Sequence, residues 1–239
     1  YNIEGIHAAR NFVKKKIGES FQADFKDGYQ SLHISGPYQY SPDDVAKRAL
    51  KNCYLSYLAK AGNKNLDILD NQFYKANNMT DKLAALSLLA SSESNKRQDY
   101  LDSFYDQWKH EPLVVDKWLM VQATADVPDV LNNVKKLLDH PAFKLTNPNN
   151  VYALIGSFFR GNPYHFHKLG HGYKFLADQV LEIDKFNPQV AARMVSGLLR
   201  WKKLDDIGQD LMREELERIL KAPSLSKNVY ELAYKSLQN

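Results

Sequence analysis

Cysteine is nearly absent from this sequence. Cys53 is the only one among 239 residues, so no disulfide can form within the chain and a reducing compartment is permitted. Its neighbours in a helical stretch, Ala46 and Leu50 among them, predict that Cys53 is a small buried residue. The sequence contains no run of about 18 apolar residues, which is the length needed to span a bilayer. The first residues also lack a signal-peptide core. We therefore expect no membrane partner.

An excess of charge of one sign is also missing. The chain has 32 lysines and arginines against 28 acidic residues, a net charge of +4. Nucleic-acid-binding domains concentrate basic residues in a patch or stripe. The clusters at 14–16 and 200–203 are short and are predicted to be solvated helix faces. We therefore expect no nucleic-acid partner.

No complete catalytic motif is present. His110-Glu111 begins like the zinc motif His-Glu-x-x-His, but position 114 is valine, so the second ligand is missing. Neither a glycine-rich phosphate loop nor a serine or cysteine in a nucleophile turn can be recognised. The sequence therefore describes a scaffold without a reaction centre of its own.

The histidines His165, His167 and His171 have the only local spacing that suggests a metal. Two glycines, Gly170 and Gly172, interrupt a continuous helix there, and no cysteine or nearby carboxylate completes a ligand set. We predict a surface or partly buried loop and assign no metal ligand.

Helix-start signals are plentiful. Asn-Pro occurs at 147, 162 and 187, each time before apolar residues with helical spacing, and Ser41-Pro42 is followed by two acids. Asparagine and serine can cap a helix, and proline suits its first position. These signals predict short helices packed in antiparallel pairs.

Helical periodicity covers the chain, and no stretch alternates with a period of two. The segments with helical spacing are 3–17, one from Pro42 that should end at Gly62, 66–76, 79–90, one that holds Tyr100, Phe104 and Trp108, one that begins at Glu111-Pro112, 127–138, one that begins at Asn187, 205–221 and 225–237. Helix pairs begin at intervals of roughly 30 to 40 residues without a repeated consensus. The predicted fold is all-α, an irregular superhelix of antiparallel helix pairs of the armadillo or HEAT kind, which is an α-solenoid.

Arg193 and Arg200 are seven residues apart in the helix predicted to begin at Asn187. They should share a face that is separate from the apolar stripe of Val190, Met194, Leu198 and Trp201. A guanidinium fork on that face could hold a carboxylate or a carbonyl. The alternative is a plain surface arginine pair.

Several blocks carry a resemblance to a known family. They are ANNMTDKLAALSLLA at 76–90, LVVDKWLMVQAT at 113–124, TNPNNVYALIGSF at 146–158 and NPQVAAR at 187–193, with GIHAAR at 5–10 and DDVAKRAL at 43–50. In both their sequences and their order along the chain, these blocks closely resemble the C-terminal helical domain of bacterial aminopeptidase N. The resemblance covers nearly the whole chain.

The resemblance implies a part of a larger enzyme. Members of the family are zinc metallopeptidases that remove N-terminal residues, and their zinc motif and Gly-x-Met-Glu-Asn motif lie in an earlier, thermolysin-like domain. Residues 1–239 are then a single C-terminal domain, a fragment of a longer polypeptide, which fits a start at Tyr1. This chain would hold no cofactor and catalyse nothing alone, with the zinc in the missing catalytic domain.

The resemblance also implies a role and a site. The family's helical domain is a cap that encloses the active-site cavity and limits substrate access. An arginine of the NPQVA-x-R block faces that cavity, and the matching residue is Arg193; a second arginine is replaced here by Tyr152. Arg193 and Tyr152 are therefore the substrate-channel candidates, and no catalytic or metal residue is assigned.

The implied partners are the catalytic and N-terminal domains of the same polypeptide, together with peptide substrates in the full-length enzyme. The implied location is the cytoplasm. The alternative from another class is a free-standing helical-repeat scaffold that binds a partner protein on its concave face. The coding sequence upstream of Tyr1 distinguishes the two, because an open frame with the zinc motif favours the first.

Overall fold

The computed structural model describes residues 1–92 and 94–238. Within them it contains helices and no strand, which confirms the all-α prediction. None of these helices combines the length and the apolar character needed to cross a bilayer. The α-helices are α1 (Ile3–Ser20), α2 (Gln22–Ser31), α3 (Pro42–Lys60), α4 (Leu66–Lys75), α5 (Met79–Ala90), α6 (Arg97–Trp108), α7 (Pro112–Ala123), α8 (Val130–Leu138), α9 (Pro148–Val151), α10 (Ser157–Gly161), α11 (Pro163–His167), α12 (His171–Asp184), α13 (Pro188–Val195), α14 (Asp206–Leu220) and α15 (Lys227–Gln238).

The chain divides into two compact units. The N-terminal unit is Ile6–Gln107, and the C-terminal unit is Trp108–Asn239 together with Tyr1–Gly5. The prediction that 1–239 is a single C-terminal domain is not tested by this division and stays a prediction.

The predicted start and end of α3 in the N-terminal unit are confirmed. The Ser41 hydroxyl accepts a hydrogen bond of 3.1 Å from the backbone N–H of Asp44, and proline occupies the first helical position. After Lys60 the chain turns at Gly62, whose φ of 114° suits glycine. Asn78 caps α5 in the same way, through the backbone N–H of Asp81 at 2.9 Å.

The buried face of α3 differs from the prediction. Arg48, Lys51, Leu55 and Leu58 are buried, whereas Ala46, Leu50 and Cys53 are exposed. The inward side of α3 packs against α2 and α5, where Lys51 pairs with Asp81 and the guanidinium carbon of Arg48 lies 5.0 Å from the centre of the Tyr38 ring. The prediction that Cys53 is buried is therefore wrong, because polar partners and not the count of apolar residues orient this helix.

All three Asn-Pro pairs in the C-terminal unit precede a helix, as predicted. The side chains of Asn147 and Asn187 accept hydrogen bonds from backbone N–H groups of their helices, at 3.0 and 3.2 Å. The side chain of Asn162 does not cap its helix. It is buried, and its amide donates to the carbonyls of Ala123 and Ala125 at 3.2 and 2.9 Å, so it joins α11 to the end of α7.

An aromatic cluster forms the centre of the C-terminal unit. Phe158 of α10 lies 6.0 Å from Phe166 of α11 and 5.9 Å from Phe175 of α12, both in edge-to-face contact. All three rings are buried. Edge-to-face pairs add about 0.5–1.5 kcal/mol beyond the burial of apolar area. The cluster therefore packs α10, α11 and α12 against one another.

Candidate functional site

The two substrate-channel candidates contact each other. An Nη atom of Arg193 donates a hydrogen bond of 3.0 Å to the Tyr152 hydroxyl. The guanidinium carbon also lies 5.9 Å from the centre of the tyrosine ring, within the range of cation–π attraction. The residues are 41 positions apart in sequence, and the fold of the C-terminal unit brings them together.

A π-helical turn carries Tyr152. It spans Tyr152–Gly156 and joins α9 to α10, so one extra residue is inserted into an otherwise continuous helix. Upstream, the buried side chain of Asn150 donates to Asp116 at 2.7 Å and accepts from the backbone N–H of Lys144 at 3.0 Å. These bonds fix the start of the helix against α7 and therefore set the position of the tyrosine.

Arg193 lies in the last turn of α13. The four residues of the predicted stripe, Val190, Met194, Leu198 and Trp201, are all buried, although only Val190 and Met194 lie on α13. With that side packed inward, Arg193 is exposed to solvent. Buried neighbours on one side and solvent on the other give the guanidinium a defined position at the surface of the unit.

The pairing of Arg193 with Arg200 on one helix face is not observed. Helix α13 ends at Val195 and is followed by tight turns, in which each backbone N–H bonds the carbonyl three residues earlier, and by a 3₁₀ turn at Trp201–Lys203. Gly197 packs so closely against the side chains of Leu176 and Phe159 that a larger residue would not fit there. Arg200 is exposed beyond the helix end.

The guanidinium of Arg193 retains binding capacity. In the described part of the chain no carboxylate pairs with it, and the Tyr152 hydroxyl accepts from only one of its nitrogens. A guanidinium has five N–H donors in a planar fork that matches a carboxylate. Tyr152 holds the fork without neutralising its charge, whereas a second arginine at that position would repel it. The pair is thus suited to bind an anionic group or a carbonyl oxygen.

The three histidines do not converge. His165 is buried with Nε2 3.2 Å from an Asp126 oxygen, His167 bonds the Tyr173 hydroxyl at 2.8 Å, and His171 is exposed at the start of α12. Nowhere in residues 1–92 and 94–238 do three histidine, cysteine, aspartate or glutamate side chains gather as metal ligands would. His165 and His167 instead have separate structural partners, Asp126 and Tyr173.

His167 is held neutral by its surroundings. Burial lowers its pKa from 6.5 to about 4, against a smaller opposing effect of Asp205, and burial also raises the pKa of Tyr173. A neutral imidazole and a protonated phenol share one hydrogen bond at pH 7. This contact stabilises the junction between α11 and α12 and gives no indication of a reactive group.

Two groups of interacting polar residues were not predicted from the sequence. Asn150 with Asp116 was hidden because the partners are 34 residues apart. In the N-terminal unit, Lys51 is buried against Asp81 of α5, and the buried Arg48 packs on the ring of Tyr38. A weak signal existed, since both basic residues fall on the same side of α3 as Leu55 and Leu58.

Comparison with known proteins places the chain in a family. The family described as "Domain of unknown function (DUF3458_C) ARM repeats" matches residues 1–238. Aminopeptidase N of Haemophilus influenzae is 39% identical over 236 residues, which cover 98% of this chain and 27% of the relative. Aminopeptidase N of Escherichia coli is 38% identical, over 93% of this chain and 25% of the relative.

A solved structure agrees with these relatives. The crystal structure of Legionella pneumophila aminopeptidase A in complex with aspartic acid superposes with a TM-score of 0.91 at 33% identity, and the match covers 100% of this chain and 29% of that one. The present chain thus spans little more than a quarter of the length of the proteins it matches. It belongs to the DUF3458_C family of ARM-repeat helical domains, and its resemblance to the C-terminal domain of bacterial aminopeptidase N is confirmed.

Proposed function

We propose that this chain is the non-catalytic cap domain of a zinc aminopeptidase. In this role the helices enclose the active-site cavity of a longer polypeptide and limit which peptides reach it. The observation that carries the proposal is the match of nearly the whole chain to about a quarter of aminopeptidase N. An enclosed cavity selects substrates by size and helps to position them.

The proposal divides the chemistry between parts of the polypeptide. The catalytic domain holds the zinc, and it and the N-terminal domain are the partners of this chain. Peptide substrates contact the chain only when those domains are present. The cytoplasmic location implied by the resemblance stays a prediction. The relatives are far longer than this chain, which favours the cap over a free-standing scaffold.

Within this proposal Arg193 faces the substrate channel and binds the carboxylate of a short peptide. Its exposed guanidinium has open donors, and Tyr152 holds it in place through the 3.0 Å hydrogen bond. A fixed fork binds a carboxylate with less loss of side-chain entropy than a free arginine would. Recognition of the far end of the substrate would favour small peptides.

Arg193→Gln in the full-length enzyme tests this role. We expect KM for a tripeptide with a free C-terminal carboxylate to rise about tenfold or more, because a charge-assisted bond is lost, while kcat changes less. The same tripeptide with an amidated C-terminus should respond weakly. Steady-state kinetics on both substrates gives the answer.

Two further variants sharpen the test. Tyr152→Phe keeps the ring but removes the acceptor for Arg193, so it should shift KM in the same direction by a smaller factor. Arg213→Gln removes an exposed arginine that pairs with Asp210 at 2.8 Å and should leave both constants unchanged. Equal KM and kcat for Arg193→Gln and the unmodified enzyme on the free-acid substrate would remove the assigned role.

A further inference from the structure

A cavity in the N-terminal unit surrounds a buried arginine. Its volume is about 730 Å³, and its walls are α2, the loop at 32–41, α3 and α4, with the link between α4 and α5. Cavities that bind small molecules measure about 300–1,000 Å³. Arg48 of α3 lines this space, and we name it the Arg48 cavity.

The guanidinium of Arg48 has no counter-ion in the part of the chain described. The residue is 4% exposed, and its contact there is the ring of Tyr38, 5.0 Å from the guanidinium carbon. No hydrogen-bond acceptor or carboxylate among the described residues meets its N–H groups. A buried cation without a partner is costly, so its five donors are available to an anion in the cavity.

The buried acid that lines the cavity, Asp81, is already paired. Lys51 bonds Asp81 at 2.5 Å, with both side chains about 7% exposed. Asp67, the second acid that lines the cavity, forms no ion pair with Arg48, and two lysines, Lys26 and Lys75, add positive charge around the opening. The unbalanced charge of the cavity is therefore positive and is centred on Arg48.

The walls of the cavity combine apolar surface with hydrogen-bonding groups. Ile34, Pro37 and Ile68 line it together with the rings of Tyr29 and Tyr38. Burial raises the pKa of Tyr29 to about 12, so its hydroxyl stays protonated and donates to Gln72 at 2.9 Å. Asn77 donates to the carbonyl of Gly36 at 3.1 Å and ties the loop over the cavity. An organic group fits these walls better than a bare inorganic ion.

We propose that the Arg48 cavity binds a small organic carboxylate, with the guanidinium of Arg48 holding the carboxylate and the apolar walls contacting the rest. Arg48 is the one buried cation of the cavity without a counter-ion in the described residues, and its planar fork matches the two oxygens of a carboxylate. A ligand of amino-acid to dipeptide size would fit the volume. This inference does not depend on the cap function proposed above.

Calorimetric titration of the full-length polypeptide tests the proposal. The probes are N-acetyl-L-leucine and N-acetyl-L-leucinamide, which differ only in the carboxylate, and the acetyl group blocks the free amine that an aminopeptidase requires. We expect the acid to bind about tenfold or more tightly than the amide. Arg48→Gln should abolish this difference, and Arg10→Gln, which changes an exposed arginine of α1, should preserve it.

Inorganic phosphate is the third probe, and tighter binding of phosphate than of N-acetyl-L-leucine at Arg48 would overturn the assignment to a carboxylate. Equal affinity for acid and amide in the unmodified protein would overturn it as well. If Arg48→Gln does not fold, a crystal structure of the unmodified protein with N-acetyl-L-leucine decides, because it shows whether the ligand lies at Arg48 or at Arg193. Density for the ligand at Arg48 supports the site, and density only elsewhere contradicts it.

Discussion

Asp81→Asn is expected to lower the free energy of unfolding by about 3–5 kcal/mol, because it leaves the buried Lys51 without its counter-ion. The Asp81 carboxylate accepts from Lys51 at 2.5 Å, from Asn52 at 2.9 Å and from Asn78 at 3.1 Å. Its backbone carbonyl accepts from Gln72 at 2.8 Å. One residue therefore joins α3, α4 and α5. The loss of its charge weakens the three hydrogen bonds that its carboxylate accepts.

Chemical denaturation followed by far-UV circular dichroism measures the effect. Asp102→Asn is the matched control, since Asp102 is exposed on α6 in the same unit, and it should change stability by less than about 0.5 kcal/mol. Lys51→Met combined with Asp81→Leu removes both charges and should recover part of the loss. A change below about 1 kcal/mol for Asp81→Asn would show that the pair is solvated in solution.

Phe158→Ala is expected to cost about 3–5 kcal/mol, the range for removing a buried phenylalanine and leaving a cavity. Phe158 is fully buried and forms edge-to-face contacts with two other rings. It lies on α10, directly after the π-helical turn that carries Tyr152. Loss of the ring should therefore also loosen the support of Arg193.

Denaturation of the Phe158→Ala variant beside Phe186→Ala tests this prediction. Phe186 is 47% exposed in the same unit, so its truncation should cost less than about 1 kcal/mol. In the full-length enzyme, Phe158→Ala should raise KM for the free-acid tripeptide more than for the amidated one. Equal stability of the two phenylalanine variants would mean that the aromatic cluster does not hold this unit together.

Local signals made the helices of this chain predictable. Ser41, Asn147 and Asn187 all cap helices through backbone N–H groups close in sequence, so the necessary information lies within a few residues. The all-α class follows from the same periodicity. The resemblance to aminopeptidase N rests on blocks of sequence, and the comparisons confirm it over nearly the whole chain.

Contacts between distant residues were not predictable in the same way. The burial of Lys51 depends on Asp81, which lies 30 positions later in the sequence. Asn162 has the sequence of a helix cap, yet its amide bonds two carbonyls of another segment. The Arg193–Tyr152 contact spans 41 positions. In each case tertiary packing decides which partner a polar group finds.

The proposed cap function requires that another part of the longer polypeptide supplies the catalytic zinc. The most direct test is to purify residues 1–239, verify their helical circular dichroism spectrum, add zinc, and measure the hydrolysis of alanine p-nitroanilide beside the full-length polypeptide. We expect cleavage by the full-length polypeptide alone. Zinc-dependent cleavage by the isolated chain, with one zinc bound per chain, would contradict the account.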